Sequence, residues 1–112
     1  VLARVSHDGA SVPAIFAFEI ENILVVAERR KRIDAAAVDE AIDLMKSLVF
    51  QVDPYAFLAF GRHTEIARRY MLSIYDAAYL VTAAHVRTDF FTADLRLANA
   101  AREEKIATVI VT

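Results

Sequence analysis

Apolar residues recur along this chain at helical spacing in five stretches, with short β-branched or aromatic runs between them. Over residues 14–32, Phe16, Ile20, Ile23, Leu24 and Ala27 fall at offsets of four, seven, eight and eleven, which predicts an amphipathic helix. Pro13 suits the first turn of that helix, and the cations of Glu28-Arg29-Arg30-Lys31-Arg32 suit its C-terminal end. Asp34 is a good N-cap for a second helix over 35–48, whose face is Val38, Ala41, Ile42, Met45 and Leu48–Val49. A third helix is expected from about 55 to 71, weakened near Gly61 and ending in Arg68-Arg69-Tyr70. Residues 73–86 are rich in alanine and apolar on most sides, which predicts a deeply buried helix, and residues 94–104 form the last one.

The runs 10–12, 50–54, 90–92 and 108–111 read as short strands, and residues 1–9 as the end of a helix stopped at Asp8-Gly9. Arg87-Thr88-Asp89 is the turn between the fourth helix and its strand. Strands alternating with helices predict one α/β domain over 1–112, a sandwich around a parallel sheet, because parallel order requires crossover helices. There is no internal repeat, low-complexity tract or linker.

Composition changes this picture in two ways. The chain is 57% hydrophobic, with a mean hydropathy of +0.36, yet charges interrupt every apolar run before it reaches bilayer length. The surplus apolar surface is expected to be covered by a partner, in an oligomer or a complex. A formal charge of −2 and a pI near 5.9 exclude bulk electrostatic attraction as the main hold on a nucleic acid. The absence of cysteine removes disulfide and thiolate chemistry and fits a cytoplasmic location. The start at Val1 leads us to expect a processed or truncated chain.

Chemistry concentrates on three acids. Asp76 sits in the first turn of the alanine-rich helix, within Leu72-Ser73-Ile74-Tyr75-Asp76-Ala77-Ala78-Tyr79-Leu80. Asp94 follows the strand ending at Thr92, and Glu19 lies about two turns after the strand ending near Val12. In an open parallel sheet, ligands bind beyond the carboxyl ends of the strands, so the three carboxylates are expected at one edge of one sheet. Carboxylates gathered there repel one another unless a cation neutralises them, and oxygen-rich sites suit Mg²⁺ or Mn²⁺. Each acid also has a purely structural reading. Ser73-x-x-Asp76 matches a capping box, Asp94 can cap its helix, and Glu19 can be an exposed first-turn acid. His7, His63 and His85 share no metal-ligand spacing and read as ordinary polar residues. Ser73 reads as a cap rather than a nucleophile, and Arg29–Arg32 as a solvated helix end or a phosphate contact.

These residues carry a resemblance. Val-Pro-Ala-Ile-Phe-Ala-Phe-Glu-Ile-Glu-Asn-Ile-Leu at 12–24, Leu72 to Leu80, and Phe91-Thr92-Ala93-Asp94-Leu95-Arg96-Leu97 resemble, in order, three segments of the PIN-domain family, specifically the VapC-type toxins of toxin–antitoxin pairs. The arginine-rich stretch 28–32 also fits, and the resemblance covers essentially the whole chain. It implies a three-layer α/β/α sandwich around a short parallel sheet. It further implies a Mg²⁺- or Mn²⁺-dependent endoribonuclease with Glu19, Asp76 and Asp94 as catalytic, metal-holding acids and Asn22 and Thr92 as supporting residues. An RNA substrate, a cognate antitoxin and a homodimer are the partners it implies, with no membrane. The chain departs from the family in one respect: the usual first strand, with its aspartate, has no counterpart here, and Asp8 lies too late to replace it. The strands near 10–12 and 90–92 are therefore expected to lack a hydrogen-bonding neighbour, as in a fragment of a longer toxin or a chain completed by another copy or segment. Two other readings compete: a non-enzymatic PIN-like module that binds an antitoxin-type peptide, and an unrelated α/β domain whose acids are caps.

Overall fold

The computed structural model describes residues 9–54 and 58–111. The helix end expected over 1–9, with His7 and Asp8, lies almost wholly outside the described residues, as do positions 55–57. The elements run β1 (Ala10–Pro13), α1 (Phe16–Arg29), α2 (Ala35–Ser47), β2 (Phe50–Asp53), α3 (Arg62–Tyr70), α4 (Ile74–Val86), β3 (Phe90–Thr92), α5 (Leu95–Glu103) and β4 (Thr108–Ile110). This is the expected α/β alternation. Instead of one sheet, the described strands form two sheets of two strands, β1 with β2 and β3 with β4. The chain divides into two compact units, one drawn from the described part of Val1–Ala10 and from Ala14–Gln51, the other from Ser11–Pro13 and Val52–Thr112.

In the first unit, Gly9 takes a φ of +78°, and a Cβ there would lie 3.2 Å from both the Cγ1 and the carbonyl oxygen of Val49. Glycine is thus required both by the turn and by the close approach that lets the Ala10 N–H donate to Val49 O at 2.9 Å. Pro13 ends β1 rather than opening α1, which starts at Phe16. Helix α1 stops where Lys31 turns left-handed, at φ +58°, and the N–H groups of Arg30 and Lys31 return to Val26 O and Glu28 O. Asp34 caps α2 as expected, its Oδ1 accepting from Ala37 N at 2.8 Å. The Phe16 and Phe50 rings meet at 5.0 Å with a tilt of 43°. The apolar stripe of α1 is only partly covered: Phe16, Ile20, Leu24 and Ala27 are half-buried, Ile23 is 62% exposed, and Phe18, off the stripe, is 74% exposed. Periodicity locates an apolar face but not what covers it.

The second unit holds the larger core. Strands β3 and β4 are parallel, with Phe90 opposite Thr108, Phe91 opposite Val109 and Thr92 opposite Ile110. Helix α5 packs on both strands, and α3 packs along α4. The centre is built from Ile66, Leu72, Ala77, Leu80, Val81, Phe90, Ala101 and Ile106, with Ile66 and Leu80 the largest side chains fully enclosed. The expectation of a deeply buried fourth helix holds, since Ala77, Leu80, Val81, Thr82 and Ala83 of α4 are all buried. Its alanines leave room for neighbours to approach closely. Helix α3 is shorter than expected because Gly61, at φ +96°, is its N-cap, and the chain becomes helical only at Arg62. Arg87, left-handed at φ +54°, closes α4 at the expected turn. Among the described residues, no helix is long and apolar enough to cross a membrane.

Candidate metal-binding site

Two of the three acids open helices of the second unit, each held by hydrogen bonds its own sequence supplies. At the start of α4 the Ser73 hydroxyl accepts from the Asp76 N–H at 3.0 Å, which fixes the backbone of the first turn. The Asp76 carboxylate is about one-third exposed, and its Oδ2 lies 3.7 Å from Nη2 of Arg96. At the start of α5, Asp94 is the N-cap, and its Oδ1 accepts from the N–H groups of Arg96 at 2.9 Å and Leu97 at 3.4 Å. Thr92, the last residue of β3, accepts from the Asp94 N–H through its hydroxyl at 3.0 Å. Ser73 and Thr92 are thus small polar props, each holding the backbone of one acid.

Arg96 joins the two. Its backbone N–H bonds to Asp94 while its guanidinium reaches Asp76, so one residue touches both acids. The sequence reading missed this residue, although a signal existed. A cation in the first turn of a helix opposes the positive end of the macrodipole and is favoured only when nearby carboxylates answer it.

Glu19 and Asn22 belong to the other unit. Glu19 is half-buried in the first turn of α1, where its N–H donates to Ile15 O at 3.1 Å, and Asn22 is exposed one turn later. Among the described residues, no three histidine, aspartate or glutamate side chains form a group that could hold a metal ion. Of the three expected acids, Asp76 and Asp94 lie in the second unit, at the openings of α4 and α5, and Glu19 lies in the first. Their carboxylates are the donor type that Mg²⁺ and Mn²⁺ take. Such ions keep several waters and take one or two protein carboxylates, and a guanidinium beside Asp76 shows that the spot accommodates positive charge.

Two polar clusters of the second unit lie apart from these acids and had no sequence signal. Glu104, after the end of α5, accepts from Arg62 at 3.1 Å, from Arg69 at 2.7 Å and from the Tyr70 hydroxyl. Burial is the largest single influence on the Glu104 carboxyl and pushes its pKa up. The Tyr70 and Arg69 hydrogen bonds and the two guanidinium charges outweigh it and hold the group below its usual range. The bond to Glu104, helped by burial, raises the Tyr70 hydroxyl above its ordinary value. His85 at the end of α4 meets Asp53, through Nδ1 to Oδ1 at 3.0 Å. A cavity of about 210 Å³ lies among Arg62, Ile66, Leu80, Val81, His85, Glu104 and their neighbours, and contains neither Asp76 nor Asp94.

With this geometry in place, comparison with known proteins gives three findings. The family model described as "PIN domain" matches residues 1–103. The crystal structure of PAE2754 from Pyrobaculum aerophilum is similar with a TM-score of 0.70 at 24% identity, covering 87% of this chain and 70% of that one. No curated protein matches.

Proposed function

The chain belongs to the PIN-domain family, whose members are generally metal-dependent nucleases, and from that premise we propose that it is a Mg²⁺- or Mn²⁺-dependent endoribonuclease of the VapC toxin type. The observation that carries this reading is the joining of Asp76 and Asp94 through Arg96 at the openings of two helices. In this reading Asp76, Asp94 and Glu19 are the acids that would hold the divalent ion, with one of them helping to orient the attacking water. The ion, when bound, supplies Lewis-acid stabilisation of the charge on the phosphate and makes a bound water more acidic. Ser73 and Thr92 fix the two aspartates in place, and Asn22 supports Glu19 from the next turn of α1.

RNA is the substrate in this reading, read locally rather than through bulk charge, since the net charge is −2. An antitoxin protein neutralises the toxin, and a homodimer covers part of the exposed apolar surface. The test is Mn²⁺-dependent cleavage of a mixed transfer and ribosomal RNA substrate by the wild type and by Asp76→Asn. Cleavage that needs Mn²⁺ and disappears in the variant supports the reading. Cleavage that survives the substitution overturns it.

A second reading has an observation of its own. The lack of a three-acid group among the described residues, beside exposed Phe18, Leu58 and Phe60, suits a PIN fold that binds an antitoxin-type peptide without cutting RNA. Failure of the protein to bind Mn²⁺ at all, together with retained peptide binding, would favour it.

A further inference from the structure

Arg96 has features that neither helix capping nor ordinary surface solvation explains. It stands in the first turn of α5, where the helix dipole disfavours a cation. Its side chain is 60% exposed and so is not there to fill space. Its guanidinium nonetheless turns back to Asp76, on a different helix, at 3.7 Å. That separation is long for a charge-assisted hydrogen bond, and a pair this exposed is weak and readily exchanged.

We infer that Arg96 is an exchangeable counter-cation of the carboxylate site, competing with the divalent ion for Asp76 and, once displaced, taking a phosphate oxygen of the bound strand. The inference rests on the proposed metal-dependent reading. Geometry supports the first half and chemistry the second. The guanidinium already lies at the carboxylate a metal would use, while the backbone N–H of the same residue bonds to the other acid. A planar guanidinium suits phosphate oxygens better than an ammonium does, because it offers two parallel donors. Exchange between the two partners keeps the charge near the acids balanced at each stage, with guanidinium against carboxylate first and guanidinium against phosphate afterwards.

Each half predicts an effect of opposite sign, which a structural role for Arg96 would not produce. Mn²⁺ affinity is measured by calorimetry on the whole protein for the wild type, Arg96→Gln, Arg96→Lys, Arg102→Gln and Asp76→Asn. Arg102, exposed in the last turn of the same helix, is the control for loss of charge at a distance. Binding of a short oligoribonucleotide is measured in Ca²⁺, with the strand checked for integrity. In Arg96→Gln, Mn²⁺ is expected to bind about threefold to tenfold tighter and the oligonucleotide about threefold to tenfold weaker. Arg102→Gln should change Mn²⁺ affinity by less than about 1.5-fold, since exposed charges that far apart are largely screened. Arg96→Lys should fall between wild type and Arg96→Gln on both measurements.

Mn²⁺ binding that depends on Asp76 but is unchanged or weaker in Arg96→Gln overturns this inference and leaves the metal reading standing. Unchanged oligonucleotide binding overturns its second half. Binding of Mn²⁺ by Arg96→Gln alone supports it strongly. No Mn²⁺ binding by either protein overturns the metal reading and the inference together.

Discussion

Asp94 shows why a cap and a ligand are hard to tell apart from sequence. The same carboxylate accepts two backbone N–H groups of α5, one of them from Arg96, whose guanidinium reaches Asp76. The two roles separate by substitution. Serine caps about as well as aspartate but carries no charge, whereas alanine does neither. Asp94→Ala should lower stability by about 1 kcal/mol, within a range of roughly 0.5 to 2, whereas Asp94→Ser should stay close to wild type. On the proposed function, both should lose Mn²⁺ binding. Thermal melts and calorimetry on the two variants check this, and Mn²⁺ binding retained by Asp94→Ser would reduce Asp94 to a cap. The helix openings at Asp76 and Asp94 were legible beforehand, one after Ser73 and the other after the short strand ending at Thr92. Arg96 was not, because its partner lies on another helix and only the fold brings them together.

At the scale of elements, the strongest polar tie described joins α3 to the end of α5. Three residues of α3, Arg62, Arg69 and Tyr70, converge on Glu104. Because Glu104 titrates below its ordinary value of 4.5 in the folded protein, its contribution is complete above that pH and is lost as pH falls through the folded value. Tyr70 is shifted the other way from 10.0, so its contribution is complete below that pH and fades as pH rises through the folded value. Melting curves recorded from about pH 3 to about pH 7 should show a shallower acid loss for Glu104→Gln than for wild type. An equal slope in the two proteins would show that the cluster contributes no pH-dependent stability. In the apolar core, Leu80→Ala should cost about 2 to 5 kcal/mol, because Leu80 is only 1% exposed at the centre of the cluster and its loss leaves a cavity. Denaturant unfolding measures that loss. The elements themselves were largely readable, since apolar spacing of 3.6 and β-branched runs are local signals. The start of α3 was not, because the sequence before the left-handed Gly61 reads no differently from a helix interior.

The whole molecule carries more apolar surface than its two units cover by themselves. The first unit exposes Phe18, Ile23, Val25, Leu44 and Val49, and the second Leu58, Phe60, Met71, Tyr75 and Leu95 among others. High hydropathy made such a surplus predictable, but no sequence pattern says which of these residues meet a partner. A net charge of −2 is too small to hold copies apart by repulsion. Self-association is therefore the expected outcome, driven by apolar burial rather than by ion pairs. Sedimentation velocity should give a mass above the 12.5 kDa of one chain, rising with concentration. The driving force is open to the same experiment. Association through apolar faces strengthens in sulfate and weakens on cooling, whereas association through exposed ion pairs weakens as salt is added. Phe18→Glu places a charge where an aromatic ring stands 74% exposed, so it should lower the association while leaving the first unit folded. A mass that stays at one chain at every concentration would overturn self-association, and a mass unchanged by Phe18→Glu would move the contact away from α1.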